Sequence, residues 1–528
     1  MTSTLRTAVV AAFAGLLVLL AAPAFAHASV EGSSPAPGAL LHAAPTQVTI
    51  TFDENVTAVP EAVRVYGPGG SRVDSGSLLR PGGDDAKVGV AVDAHAEGTY
   101  LVAWRVVSAD SHPVSGAFTF SVGRRSAAPS APAITSDTTL SVVLGAARAV
   151  GYAGSALLLG GTLLLALAGG TGSLGSARSR RRLLGLGVGC LVLAALVALL
   201  LQGGYDAGMG LSSFGRPVLV KGVLGTTFGR GLLVRLVGAL GFAAALWRVR
   251  GRLRAALLVA FGAVLVASFA MTGHGVTNAL MFVSTSLHVA VASLWIGGLA
   301  GLVAWALRDP AAHADTLARF SRVALCCVGV LVVTGGFQAW RQVREWGALT
   351  GTTYGRELLV KLGLVVLVLV AAGLSRQSVR RRADAPLGVL RRAVGVELVL
   401  GLCVFGVTAS LAATQPAYSA YHPVVSADLK AGPDLVQLSG VPTGEQQMDL
   451  HVYVFGKDQQ PSTPKQMTVT VSLASADLGP LPITLTNAGP GHYVGQVVVP
   501  VQGDWTVAVT VRTSAIDEYT VTNPLPIR

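Results

Sequence analysis

The sequence is short of charge and of cysteine. Only 12% of its 528 residues are charged while 52% are hydrophobic, which excludes an ordinary soluble globular protein and points to a chain that sits in a membrane. The four cysteines, Cys190, Cys326, Cys327 and Cys403, all lie inside apolar stretches, so the polar regions have neither a disulfide nor a thiolate metal site. Aromatic residues reach only 6% while glycine occupies 64 positions, a bias suited to helices that approach closely in lipid through small side chains. Acidic residues are outnumbered 27 to 39 by lysine and arginine. The excess of +12 falls in short clusters between apolar stretches, which is the pattern of cytoplasmic membrane loops and not of a nucleic-acid-binding face. Neither a P-loop nor a phosphorylatable Asp-Lys-Thr-Gly is present, so the two common signatures of ATP-driven transport are missing.

What is present divides the chain into five parts. Arg6 precedes an apolar run from Val9 to Ala22 and then Ala24-Phe25-Ala26, the form of a signal-peptidase site. Residues 1–26 are therefore expected to be a signal peptide, with His27 as the mature N-terminus. An uncleaved anchor is the alternative, against which the run is shorter than the ~20 residues that span a bilayer. Residues 27–123 read as short strands between Pro/Gly turns, including Gln47-Val-Thr-Ile-Thr-Phe52, Thr99 to Val106 and Ala117 to Val122, which predicts an all-β sandwich. A Ser/Ala/Pro-rich linker occupies 124–138. From 139 to 413 eight apolar spans follow, near 139–168, 183–202, 231–247, 255–273, 279–306, 320–338, 357–374 and 393–413, predicting an eight-helix transmembrane bundle. The strand pattern returns in 414–528, a second β-sandwich.

Every second connection between spans is basic, at Arg178 to Arg182, Arg248 to Arg254, Arg308 to Arg322 and Arg376 to Arg392. The positive-inside rule then places both terminal domains outside the cytoplasm, on a multi-pass protein of the cytoplasmic membrane. The spans also repeat. Gly225-Thr-Thr-Phe-Gly-Arg-Gly-Leu-Leu-Val-Arg235 matches Gly351-Thr-Thr-Tyr-Gly-Arg-Glu-Leu-Leu-Val-Lys361 at ten of eleven positions, identical or close. Gly203-Gly-Tyr205 against Gly335-Gly-Phe337, and Leu159-Gly-Gly161 against Ile296-Gly-Gly298, extend the match in the same order. Two four-helix halves in the same orientation follow, a parallel repeat.

Three sets of residues bear on chemistry. A mature His27 offers its free amine and ring Nδ1 to one metal, and Asp110 and His112, two apart in an extended segment, point to one side and can complete an N3O set. Such a tetragonal N,O set suits Cu(II). In the membrane region Met271, His274, Met281 and His288 lie at the outer end of span four and along the start of span five. Thioether and imidazole suit Cu(I), and Met281 and His288 are seven residues, two helical turns, apart on one face. An ionisable residue such as His288 deep in a span is a functional candidate by default. Lys221, Arg230, Arg356 and Lys361 sit at outer helix starts, where snorkelling to headgroups explains them. In 414–528 His422, Met448, His451, Met467 and His492 are metal-compatible donors that no close motif unites.

The start His27-Ala-Ser, the turn Ser33-Ser-Pro-Ala-Pro-Gly38, Val48-Thr-Ile-Thr-Phe-Asp53-Glu-Asn-Val56 and Tyr100-Leu-Val-Ala-Trp-Arg-Val-Val-Ser-Ala-Asp-Ser-His-Pro-Val-Ser-Gly116 resemble the CopC copper-binding domain. That resemblance implies Cu(II) binding by His27, Asp110 and His112. The methionine-rich Cu(I) strand of some CopC members has no counterpart, since 27–123 contains no methionine. The membrane region resembles CopD, most specifically in Leu287-His-Val-Ala-Val-Ala-Ser-Leu-Trp-Ile-Gly-Gly298 and Tyr354-Gly-Arg-Glu-Leu-Leu-Val-Lys361, and the C-terminal region loosely resembles a YtkA-type sandwich. A CopC/CopD fusion implies copper binding and copper import, with Cu(II) captured outside and passed to the membrane domain. The expected partners are copper ions, the lipid bilayer and an extracytoplasmic copper chaperone, with no nucleic acid and no enzymatic activity. Three alternatives stay open: a copper-resistance buffer without transport, a copper monooxygenase built on the N-terminal histidine, and a haem-binding membrane redox protein.

Overall fold

The computed structural model describes residues 30–35, 39–52, 55–108, 113–124, 126, 129, 138–169, 174–273, 279–308, 313–381, 387–421, 425–444, 446–456, 461–489, 491–514 and 517–527.

The N-terminal part is all β. Its strands are β1 Val30–Ser34, β2 Leu40–Leu41, β3 Gln47–Phe52, β4 Thr57–Tyr66, β5 Asp74–Leu79, β6 Lys87–Val92, β7 Gly98–Val107 and β8 Pro113–Val122. They form two four-stranded sheets, ordered β1-β3-β6-β5 and β2-β8-β7-β4. Alternation decides which side chains go inward: in β3, Val48, Ile50 and Phe52 are buried while Gln47 is exposed. Phe52 meets Trp104 edge-on at 5.3 Å, and Tyr100 stacks on Phe120 at 5.1 Å, so rings from β3, β7 and β8 fill the core. The Tyr100 hydroxyl donates to Ala96 O at 2.6 Å and accepts from Ala96 N–H at 3.1 Å. This satisfies a buried polar tip and ties β7 to the turn before it, as tyrosine corners do in sandwiches.

The middle part is helical. Eight long helices are α1 Thr138–Leu167, α2 Ala177–Asp206, α3 Thr227–Arg248, α4 Gly251–Met271, α5 Ala279–Ala304, α6 Ala314–Val343, α7 Thr353–Arg381 and α8 Leu387–Leu411. Among the described residues seven are long and apolar enough to cross a membrane. Large apolar side chains on the outer surface, such as Val259 at 74% exposed and Val333 at 63%, fit lipid contact and would be costly in water.

The repeat read from sequence is structural. A short helix, Pro217–Gly225, ends where α3 begins, and Trp346–Gly351 does so before α7. Thr226 Oγ1 accepts from Gly229 N–H at 2.9 Å, and Thr352 Oγ1 accepts from Gly355 N–H at 3.0 Å. Each threonine thus caps its long helix by satisfying an orphan N–H. Each hydroxyl also donates to the preceding short helix, Thr226 to Val223 O and Thr352 to Ala348 O, both at 2.7 Å. Helix neighbours repeat as well: α1 packs on α2 as α5 packs on α6, and α4 packs on α5 as α8 packs on α1.

The two halves meet where α1 crosses α5. A Cβ on Gly160 would lie 2.5 Å from the Gly297 carbonyl carbon, and one on Gly297 would strike the Ala156 carbonyl. Only glycine permits this backbone approach. Beside the crossing the Ser155 and Ser293 hydroxyls bond at 2.9 Å, which satisfies two polar groups deep in the bundle.

The C-terminal part has β9 Val425–Ala431, β10 Asp434–Gly444, β11 Gln447–Phe455, β12 Gln466–Leu473, β13 Leu478–Ile483, β14 Leu485–Gly489, β15 His492–Val498, β16 Gly503–Arg512 and β17 Glu518–Ile527. Its sheets are ordered β14-β15-β11-β10-β9 and β13-β12-β16-β17. Val436, Leu450, Val452, Val469, Trp505 and Val509 close a core between them. The expected class, a β domain, a helical membrane bundle and a second β domain, is the class observed.

Candidate functional site

The helical part encloses a cavity of about 130 Å³. The first half contributes Arg148 and Tyr152 from α1, Phe228, Leu232 and Arg235 from α3, and Phe269 from α4. The second contributes Thr285, His288 and Val289 from α5, Gln338 and Gln342 from α6, and Tyr354, Leu358 and Lys361 from α7. The sequence repeat explains this lining. Phe228, Leu232 and Arg235 are the counterparts of Tyr354, Leu358 and Lys361 in the eleven-residue match, and their i, i+4, i+7 spacing puts each triplet on one helix face. On the Gly-Gly alignment Arg148 corresponds to Thr285 and Tyr152 to Val289. Equivalent faces of both halves therefore line one chamber.

His288 is the member without a twin, because its counterpart is Gly151. Its Nδ1 lies 2.8 Å from Thr334 Oγ1. That hydroxyl also donates to Val330 O at 2.7 Å, so its single proton is committed to the helix and it accepts from His288 Nδ1–H. Nε2 is then the ring nitrogen left with a free lone pair. Space for the ring comes from Gly335, where a Cβ would lie 3.3 Å from His288 Cε1. The second Gly-Gly-aromatic motif thus accommodates the imidazole. In the first half Gly203 instead admits Leu219 and Gly204 admits Ser213.

Arg235 is 5% exposed and held in place. Its Nη2 donates to Thr272 Oγ1 at 2.6 Å, its Nε to Ser268 Oγ at 3.2 Å, and its guanidinium lies 3.9 Å from the Phe269 ring centroid. Gln342 Oε1 is buried without a hydrogen-bond partner among the described residues, leaving an acceptor for whatever occupies the chamber. Among the described residues the lining includes Arg148, Arg235 and Lys361 but no aspartate or glutamate, although the buried Asp206 interacts with Arg148 from behind the wall.

The expected residues divide as follows. His27, Asp110, His112 and His274 lie outside the described residues. Met271 ends α4 and is half-buried, Met281 on α5 is 3% exposed, and His288 opens onto the cavity. Lys221, Arg230 and Arg356 are exposed, as snorkelling residues are. Lys361 departs from that reading: it lines the cavity, because seven residues past Tyr354 it shares Tyr354's inward face. Sequence reasoning also passed over Arg148 and Arg235. The signal for Arg235 was its equivalence to Lys361 at the end of the repeat.

Comparison with known proteins follows the same division. The CopC domain matches residues 30–123, the copper resistance protein D-like N-terminal domain matches 138–281, and copper resistance protein D matches 314–411. The copper transport protein CutJ of Bacillus subtilis is 31% identical over 413 residues, covering 74% of this chain and 75% of its own. Copper resistance protein C of Pseudomonas syringae pv. tomato is 39% identical over 124 residues, 22% of this chain and 96% of that one. The crystal structure of PcoC, a methionine-rich copper resistance protein from Escherichia coli, is 30% identical, with a TM-score of 0.16, over 18% of this chain and 99% of that one. By the relation to CutJ across most of both chains, and by these domains in this order, the chain belongs to the CopC–CopD fusion family of copper resistance and transport proteins.

Proposed function

We propose that the protein imports copper across the cytoplasmic membrane, with both terminal domains outside. Residues 27–123 capture Cu(II) through the His27 amine and ring, Asp110 and His112, and residues 139–413 carry copper inward past Met271, His274, Met281 and His288. The observation that carries this reading is His288, an imidazole inside a membrane chamber with Nε2 free to bind, two helical turns from the buried thioether of Met281. An ionisable side chain at that depth is expensive to keep unless it serves a passing ligand or ion. Neutral imidazole and thioether are donors that copper accepts readily.

The chamber sets a condition on the passenger. With Arg148, Arg235 and Lys361 in its wall, a bare copper ion adds charge where positive charge already stands, so copper enters with an accompanying anionic ligand. No step uses ATP, and an extracytoplasmic chaperone is a suitable copper donor. The test is copper uptake by proteoliposomes holding the full chain or His288→Ala. Uptake that falls at least about tenfold in the variant, with unchanged protein recovery, supports import through the chamber. Uptake equal in both, or no uptake by either, overturns it in favour of a copper buffer that does not transport.

A further inference from the structure

The C-terminal sandwich brings together two histidines that are 41 residues apart in sequence. Strands β11 and β15 pair with Tyr453 opposite His492 and His451 opposite Val494. His451 and Tyr453, two apart on β11, share one face, so His451 sits diagonally across from His492. The alternate residues Leu450, Val452 and Val454, on the opposite face, are fully buried while His451 and Tyr453 are half-buried. The pair therefore lies on the outer surface of the five-stranded sheet.

His451 Nδ1 and His492 Nε2 are 3.1 Å apart. The rings stack at 5.4 Å with 17° between planes, and Tyr453 stacks on His492 at 4.2 Å, which limits how far that imidazole can turn. The spacing is that of an N–H···N hydrogen bond, and it also matches a chelate. A metal about 2.0 Å from each of two imidazole nitrogens, bent at roughly 90–110°, holds them about 2.8–3.3 Å apart.

We infer that His451 Nδ1 and His492 Nε2 form a second Cu(II) site of this protein, with the remaining positions taken by water. The donor set is two imidazoles plus oxygen, which the tetragonal preference of Cu(II) favours and the Irving–Williams order supports over other divalent first-row metals. Copper as the metal rests on the function proposed above, whereas the nitrogen spacing does not. No electron transfer is involved. The hydrogen between the two nitrogens leaves its place by a tautomer change of the ring that carries it, to His451 Nε2 or to His492 Nδ1.

The experiment uses the full chain in detergent: as it stands, as Asp110→Ala/His112→Ala, as His451→Gln/His492→Gln, and with all four substitutions. Each is loaded with Cu(II), desalted, and examined for copper per chain and for imidazole nitrogen coupling by pulsed electron paramagnetic resonance. Circular dichroism and the single substitutions His451→Gln and His492→Gln check that folding is kept. The site predicts that His451→Gln/His492→Gln removes one copper per chain in either background, together with a signal coupled to two imidazoles. Copper content and spectra unchanged by those substitutions would overturn it. Unchanged copper content in Asp110→Ala/His112→Ala would instead count against N-terminal capture and leave the sheet site standing.

Discussion

The two halves of the membrane domain share a scaffold and differ in chemistry. Thr226 and Thr352 cap their helices with the same bonds, and Arg235 and Lys361 face the same chamber from equivalent positions. Yet His288 stands where the first half has Gly151, and Gly335 opens room for an imidazole that Gly203 never meets. A duplicated frame can thus hold one unduplicated ligand, because the positions that set helix paths differ from those that face the cavity.

The comparison can be tested hardest where the halves cross. Gly297→Ala and Gly160→Ala each drive a methyl into backbone of the other half, and are expected to cost about 3 kcal/mol each, overpacking that side-chain movement cannot relieve. Thermal unfolding in detergent reads this, and a wild-type midpoint for either would mean the crossing is looser than described. Next in size is function: placing a histidine in the first half by Gly151→His should not restore copper uptake to His288→Ala, since the counterpart of Thr334 is Gln202, which bonds to Asp206, and Leu219 fills the space beside Gly203, the counterpart of Gly335. Restored uptake would show the chamber to be symmetric in chemistry as well as frame. Smaller and equal effects are expected from Thr226→Ala and Thr352→Ala, about 1 kcal/mol each, and unequal losses would show that the two caps bear different loads. Smallest is Gly151→Ala. A Cβ there has only ordinary contacts, 3.5 Å to Ala194 and 3.9 Å to Phe269, so stability in the same unfolding measurement should change by less than about 1 kcal/mol.

Much of the fold was legible because it is written in local periodicity. Alternation marked β3 and β11, long apolar runs marked the eight long helices, and the eleven-residue match disclosed the repeat. The sites were less legible, because they depend on which face points where. Lys361 reads as a snorkelling cation from its depth alone, and only the rotation of α7 turns it inward. His451 and His492 share no motif, since the register of β11 against β15 is what joins them. His288 was legible because an imidazole deep in an apolar span is anomalous wherever it faces.

The acid-free lining of the chamber has one more consequence, for membrane leakage. At an effective dielectric of 20, a monovalent cation about 8 Å from one fixed positive charge is disfavoured by roughly 2 kcal/mol. Arg235 and Lys361 together would thin out stray sodium and protons by about three powers of ten, while the charge of Arg148 is partly offset by the buried Asp206. A route that admits copper only in neutralised form would then leave the ion gradients of the cell intact, so copper entry need not short-circuit the energised membrane.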